Sequence, residues 1–359
     1  MHRKLFIPGP IDVERDVLDK MATAQIGHRS KEASTLQESI ERKMKQLFYT
    51  KNTILLSTSS GSGLMEGAIR SCTRKRAAVF SVGSFGDRWY KLALSNGVPA
   101  DKIKSEAGKA TSVEMVDKAL SSGAYDVMTI TQNETSTGLM NSMEDISELL
   151  KDKYPHILLL VDSVSSMGGT KILTDGWGID VNITSTQKCL GLPPGFAICS
   201  VSDRAIEAAR KVENRGTYFD LVALYDFVHN KNHQYPSTPS TAHMFALDYQ
   251  MDKILEEGLE NRFSRHKDMA EYVRAWALKY FDLFIDDPKY LSNTLTTIKN
   301  TRGIDVADLN EKLSDRGYMI SNGYGDLKEK TFRISHMGDY RVEDIEDLIR
   351  NINDILGLE

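Results

Sequence analysis

The sequence is short of cysteine, of net charge and of long apolar runs, and each shortage removes a class of protein. Its three cysteines, Cys72, Cys189 and Cys199, are odd in number, lack C-x-x-C spacing and are too few to staple 359 residues. A reducing, cytoplasmic setting is therefore expected. The longest apolar run, Ile157 to Val161, falls far short of the roughly 20 residues that cross a bilayer. The basic start Met1-His2-Arg3-Lys4 is followed by no apolar h-region, so neither a membrane partner nor a signal peptide is expected. Lys plus Arg total 45 against 50 Asp plus Glu, a net charge of −5, which leaves no basic excess for nucleic acid. With 41% hydrophobic residues, 26% charged residues, 25 Gly and 9 Pro, the composition is that of an ordinary globular chain and excludes collagen, coiled coil and bulk disorder. A small-molecule ligand is the natural starting point.

What is present is an alternation. Short apolar runs at 53–57, 77–82, 125–131, 156–162, 180–184 and 196–201 read as strands buried on both faces. Helical stretches near 63–71, 84–96, 112–121 and 143–153 lie between them, and this βαβ order predicts an α/β fold with a mostly parallel sheet covered by helices on both sides. Such sheets bind ligands at the carboxyl ends of their strands. Amphipathic helices are expected around Val17, Leu18 and Met21 and around Leu36, Ile40, Met44 and Leu47. Beyond about residue 240 the texture changes to long helices (241–257 and 260–280), a strand at 293–299, a helix at 305–316, a strand at 331–335 and a last helix at 341–354. That reads as a small α+β unit. The polar segment 230–239 reads as an exposed loop.

Three features just after predicted strands carry chemistry. The turn Thr58-Ser59-Ser60-Gly61-Ser62-Gly63 opens a helix, and free N–H groups at the positive helix end suit a phosphate. No acidic residue follows the next strand and no G-K-[ST] is present, so a lone phosphate is favoured over a nucleotide. Asp162 ends the most apolar run, where a dehydrated carboxylate stays ionised only beside a cation; the plain alternative is a turn-capping Asp. Lys188 follows another strand among small and apolar neighbours, where dehydration makes an amine nucleophilic, although most lysines are simply solvated. One cofactor needs all three: pyridoxal 5'-phosphate takes a lysine amine, a carboxylate for its pyridine nitrogen and a helix N-terminus for its phosphate. His229 and His233 stand at i, i+4 without an adjacent Glu or a third ligand, so no metal is expected, and no G-x-S-x-G elbow occurs.

At these residues the sequence resembles the class V pyridoxal-phosphate-dependent aminotransferases, in the alanine–glyoxylate and serine–pyruvate branch. The resemblance runs through Pro8-Gly9-Pro10, Gly27-His28-Arg29-Ser30, Ser60-Gly61-Ser62 with Met65-Glu66, Asn133-Glu134-Thr135-Ser136-Thr137-Gly138, Val161-Asp162-Ser163-Val164, Gln187-Lys188, Tyr235-Pro236-Ser237-Thr238-Pro239 and Phe332-Arg333-Ile334. It implies that Lys188 is the lysine joined to the cofactor, that Asp162 partners the pyridine nitrogen, and that Val164 and Phe85 pack on the two ring faces. Phe85 stands where relatives often have tryptophan. By the same resemblance Thr135 lies near the phenolic oxygen, and Ser60, Gly61, Ser62 and Gln187 contact the phosphate. Relatives usually have threonine or histidine where Ser62 stands. Tyr235 and Thr238 match residues lent to the phosphate site of a neighbouring subunit, which implies a homodimer with shared sites. Arg333 matches the arginine that grips the substrate carboxylate, with the backbone around Gly9 nearby.

The family further implies fold type I: a seven-stranded-type, mostly parallel sheet with a small C-terminal α+β domain. The expected division is an N-terminal arm over 1–20, a cofactor domain over 21–245 and a small domain over 246–359. The expected reaction moves an amino group from alanine or serine to a 2-oxo acid such as glyoxylate or pyruvate, in a ping-pong sequence. Phosphoserine or aspartate donors remain open, with Arg29, Lys328 and Lys330 as candidates for a second anionic group. A cysteine desulfurase or another lyase is disfavoured, because Cys189 directly follows the lysine and no cysteine lies in the small domain's loops.

Overall fold

A computed structural model describes residues 2–358. Seven strands form the larger sheet, in the order Thr53–Ser57, Ala197–Val201, Val181–Ser185, Leu158–Asp162, Val127–Thr131, Ala77–Ser81, Ala100–Lys104. Ala197–Val201 runs antiparallel to both of its neighbours and every other pairing is parallel. All six apolar runs read from the sequence are strands of this sheet. The seventh, Ala100–Lys104, was hidden because it is an edge strand in which only Ala100 is buried and half-buried residues alternate with exposed lysines.

Helices cover both faces. On one, Ile40, Met44 and Leu47 of the helix Lys31–Leu47 pack with Ile54, Leu56, Phe80, Ile130 and Val161. On the other, Leu64, Met65, Ala68 and Ile69 of the helix Gly61–Cys72 pack with Leu55, Val79, Leu160 and Ile183. The alternation of strand side chains between these two clusters explains why the strands read as unbroken apolar runs.

A second sheet of five strands has the order Lys4–Phe6, Tyr318–Asn322, Thr331–Ser335, Leu295–Lys299, Asp282–Leu283. Its first pair is parallel and the others antiparallel. The helices Leu259–Tyr280, Val306–Asp315 and Val342–Leu356 supply Val273, Leu313 and Ile352 to its core. The expected boundary between 245 and 246 falls inside the helix Thr241–Glu257. That helix gives Met244, Leu247, Met251 and Ile254 to the core of the large sheet, and its cap Gly258 begins the turn into the small domain's first helix. The N-terminal segment is divided likewise: Phe6 lies in the small domain's core and Val17 in the large one.

Among the described residues, no helix is long and apolar enough to cross a membrane, and no group of three or more His, Cys, Asp or Glu is placed to hold a metal. His229 instead bonds Thr53 at 2.8 Å, and His233 faces Glu41 at 3.0 Å.

Candidate functional site

Five parallel strands of the large sheet release the chain at one edge, and the candidate residues follow directly: Ser60 after Ser57, Phe85 after Ser81, Thr135 after Thr131, Asp162 at its own strand's end, and Lys188 after Ser185. The carboxyl edge of the sheet therefore gathers residues that are far apart in sequence.

Asp162 is buried and accepts a hydrogen bond from the Val164 N–H at 2.9 Å. Burial is the largest influence on its carboxyl and pushes its pKa up to about 6, with the nearby Glu134 charge adding to the rise and Arg88 and Lys188 opposing it. Lys188 is 8% exposed, and its Nζ donates to the Pro8 carbonyl. Dehydration lowers its pKa from 10.5 to about 8, against the attraction of Asp162 and with help from Arg333 and Arg88. The N-terminal segment presses closely here. A Cβ on Gly9, whose φ is +90°, would lie 2.8 Å from both the Gln187 carbonyl and Lys188 Nζ. Only glycine suits that approach and that backbone angle.

The helix Gly61–Cys72 begins at this edge, with Ser60 as an exposed N-cap that makes no side-chain cap. A Cβ on Gly61 would stand 2.7 Å from Val164 Cγ2, so a glycine holds the helix start against a residue two positions after Asp162. Two polar atoms at this place are buried without partners among the described residues: Gln187 Oε1 and Ser185 Oγ. Ser62 Oγ accepts from Arg88 Nη1 at 2.9 Å.

Phe85 opens the helix Ser84–Ser95, and its ring is flanked by the Arg88 guanidinium at 4.5 Å and the Tyr324 ring at 5.9 Å. Below it lies Glu134, fully buried, whose carboxyl accepts from the amides of Phe85 (3.0 Å), Gly86 (3.1 Å) and Ser136 (3.1 Å) and from the Ser136 hydroxyl (2.5 Å). Dehydration still dominates and pushes its pKa upward. Thr135 Oγ1 donates to Ser165 Oγ at 2.9 Å, and the Thr135 carbonyl accepts from Arg333 Nη1 at 3.0 Å. Arg333 comes from the small sheet, also bonds the Asn322 carbonyl at 3.1 Å, and lies 5.5 Å from the Tyr324 ring. Burial lowers its pKa to about 10, so it stays charged at neutral pH.

Asp162, Lys188, Arg333 and the Ser60–Ser62 turn thus converge, as do Phe85, Val164, Thr135, Gln187 and Gly9. Tyr235 reaches the start of this turn from its own chain, and Thr238 lies at the surface. Within its own chain the Tyr235 hydroxyl accepts from the Thr58 N–H at 3.2 Å, while Thr238 is exposed. Arg29 is committed to this loop, donating to the carbonyls of Tyr235 and of Pro236 (3.2 Å), and Lys328 and Lys330 are exposed. Sequence reasoning assigned no role to Glu134, Arg88 or Tyr324. Glu134 lies within a motif already singled out, but its burial shows only in the fold, and Arg88 sits one helical turn after Phe85 with nothing local to mark it. Tyr324 sits in a loop with no such marker.

The comparisons with known proteins agree with this geometry. Residues 13–348 match the family described as Aminotransferase class-V. An uncharacterized aminotransferase of Methanocaldococcus jannaschii is 36% identical over 342 residues, covering 93% of this chain and 87% of that protein. A serine–glyoxylate aminotransferase of Arabidopsis thaliana is 30% identical over 347 residues, with 93% and 85% covered. The crystal structure of an alanine–glyoxylate aminotransferase from Nostoc sp. superposes with a TM-score of 0.93 at 28% identity, covering 99% of this chain and 96% of that one. A match across nearly the whole chain, on a fold whose sheet edge gathers the family's motifs, establishes that the chain belongs to the class V aminotransferases and is a transaminase.

Proposed function

We propose that the chain moves the amino group of a small L-amino acid, alanine or serine, to a 2-oxo acid such as glyoxylate or pyruvate, with pyridoxal 5'-phosphate as its cofactor. The observation that carries this reading is the pairing, on one sheet edge, of a buried amine held near pKa 8 with a buried carboxyl. The residues suit the cofactor by their own chemistry. Asp162 is dehydrated and needs a cationic partner, Gln187 Oε1 and Ser185 Oγ are buried without partners among the described residues, and Gly61 keeps a helix N-terminus open where a Cβ would meet Val164.

When bound, the cofactor supplies a carbonyl that the amines can join and a protonated ring that draws electrons from the substrate Cα. Asp162 would hold the proton on the ring nitrogen. Lys188 would serve as the base that takes the proton from the substrate Cα; a pKa near 8 leaves a useful fraction of the amine free at neutral pH. Arg333 pairs with the substrate carboxylate through N–H groups not given to Thr135 and Asn322. Val164 and Phe85 would hold the ring, Thr135 would serve its phenolic oxygen, and Ser60, Gly61, Ser62 and Gln187 would bind the phosphate.

A small donor is favoured because Arg29 is occupied by backbone carbonyls and Lys328 and Lys330 face solvent. The names of the relatives above support glyoxylate as acceptor. Exposed Thr238, on a loop that the chain itself pins through Arg29, supports a homodimer in which Tyr235 and Thr238 serve the partner's phosphate site. Three free, buried thiols favour a reducing compartment, the cytoplasm.

The test is a half-reaction screen, in which the cofactor-loaded protein is mixed with single amino acids and its visible absorbance followed. Alanine or serine should discharge the band, and Lys188→Ala should remove both band and turnover. Discharge by phosphoserine or aspartate alone would overturn the donor assignment, and release of alanine from cysteine would replace transfer by lyase chemistry.

A further inference from the structure

Arg88 has a place in the site that the family reading leaves without a role. It sits one helical turn after Phe85, half-buried, with its guanidinium over the Phe85 ring at 4.5 Å and Nη1 on the Ser62 hydroxyl at 2.9 Å. A guanidinium has five N–H donors, and the hydroxyl uses one. The carboxylates nearest in sequence or along the adjoining helix are taken: Asp87 pairs with Lys102 at 3.1 Å and Glu66 with Arg70 at 3.5 Å. Among the described residues no Asp or Glu is within the 4.0 Å of an ion pair with Arg88. A half-buried cation with a single neutral partner is stabilised by an anion that enters the site.

The surroundings say which anion. Ser62 lies in the first turn of the helix Gly61–Cys72, so the guanidinium reaches the positive end of that helix. On the other side of Gly61, Ser185 is fully buried, its Oγ has no partner among the described residues, and it would lie 3.6 Å from a Cβ placed on Gly61. An unsatisfied hydroxyl and a cation that feels Asp162 but forms no ion pair with it thus flank one helix N-terminus. A compact dianion with three acceptor oxygens fits that set, whereas a neutral group leaves the charge unanswered.

We propose that Arg88, together with the hydroxyls of Ser62 and Ser185, binds the phosphate of the cofactor and supplies it with a full positive charge. This assignment rests on the proposed pyridoxal 5'-phosphate chemistry and adds a residue to it. The same guanidinium packs on Phe85, so a single side chain couples phosphate binding to the position of the ring-stacking aromatic.

The test is equilibrium binding by the full chain, freed of cofactor, to pyridoxal 5'-phosphate and separately to pyridoxal, which lacks the phosphate. Arg88→Met should weaken pyridoxal 5'-phosphate binding by about 10- to 100-fold, the worth of hydrogen bonds to a charged group, and weaken pyridoxal binding far less. Arg88→Lys, which keeps the charge, should fall between Arg88→Met and the unaltered protein. Inorganic phosphate should raise the affinity of the unaltered protein for pyridoxal and leave Arg88→Met unaffected. Retained pyridoxal binding shows that the variant pocket is folded. Equal weakening of both ligands by Arg88→Met, or an unchanged preference for the phosphorylated one, overturns the assignment of Arg88 and leaves the functional reading standing. Failure of the unaltered protein to bind pyridoxal 5'-phosphate through Lys188 overturns both.

Discussion

The depressed basicity of Lys188 makes a quantitative prediction that needs no substrate. Its amine is pushed down from 10.5 to about 8 because burial removes water from the charged form. At about pH 7.4 a group of pKa near 8 is roughly one-fifth unprotonated, while an ordinary lysine is unprotonated less than about once in a thousand molecules, a ratio of about 250. Competitive acetylation measures this directly. The cofactor-free chain is labelled with a trace of acetic anhydride across a pH series, with a free lysine derivative as internal standard, and the peptide carrying Lys188 is quantified by mass spectrometry. The rate for Lys188, normalised to its own plateau, should reach half-maximum near pH 8, which separates basicity from accessibility. Asp162→Asn should move that midpoint lower, because the carboxylate's attraction opposes the dehydration. Arg333→Met should move it higher, because the guanidinium repels the charged amine. A midpoint at 10 or above, or one indifferent to both substitutions, would refute the view that the site holds a dehydrated amine. Linkage gives the same sign: a depressed amine costs stability fully below pH 8, and the cost disappears as pH rises from about 8 towards 10.5.

Three further outcomes are expected. Arg333→Lys should raise the amino-acid KM and lower kcat/KM by about 10- to 100-fold in steady-state assays, since a point charge replaces a planar fork; an unchanged KM would remove Arg333 from substrate binding. Glu134→Ala should lower the melting temperature, because it strands the amides of Phe85, Gly86 and Ser136 at about 1–3 kcal/mol each, and Glu134→Gln should recover part of the loss. Gly9→Ala should cost both stability and turnover, whereas Gly97→Ala, at φ +69° with nothing within 4 Å of its Cβ, should show only the backbone cost of about 1–2 kcal/mol in denaturant melts.

The parts of the molecule legible in the sequence are those where one physical signal dominates. Leu158–Asp162 and Val181–Ser185 are buried on both faces, so their apolar runs stand out, and Asp162 is conspicuous as an acid at the end of such a run. Lys188 is marked the same way. Weaker signals hid other elements. Lys4–Phe6 is three residues long and forms a strand only because Tyr318–Asn322 offers it an edge, and Tyr318–Asn322 is itself mostly half-exposed. The helix Leu221–Asn230 is apolar on more than one side and carries little periodicity. Glu134 was overlooked because nothing local distinguishes a buried acceptor of backbone amides from a solvated acid; its meaning lies in the amides of Phe85 and Gly86, some 50 residues earlier in the chain.

The pairing of Lys4–Phe6 with Tyr318–Asn322 sets an order of events during synthesis. The carbonyl of Pro8 that receives the Lys188 amine is held next to a strand whose partner is translated more than 300 residues later, and Arg333 follows that partner. The large sheet has all seven strands once residue 201 is available, so it can collapse early, with its carboxyl edge bare. The first residues must wait, unpaired, for contacts more than 300 positions away. A nascent chain of this protein therefore carries Asp162 and Lys188 on a formed sheet before the strand that closes the floor under Lys188 exists and before Arg333 has been added.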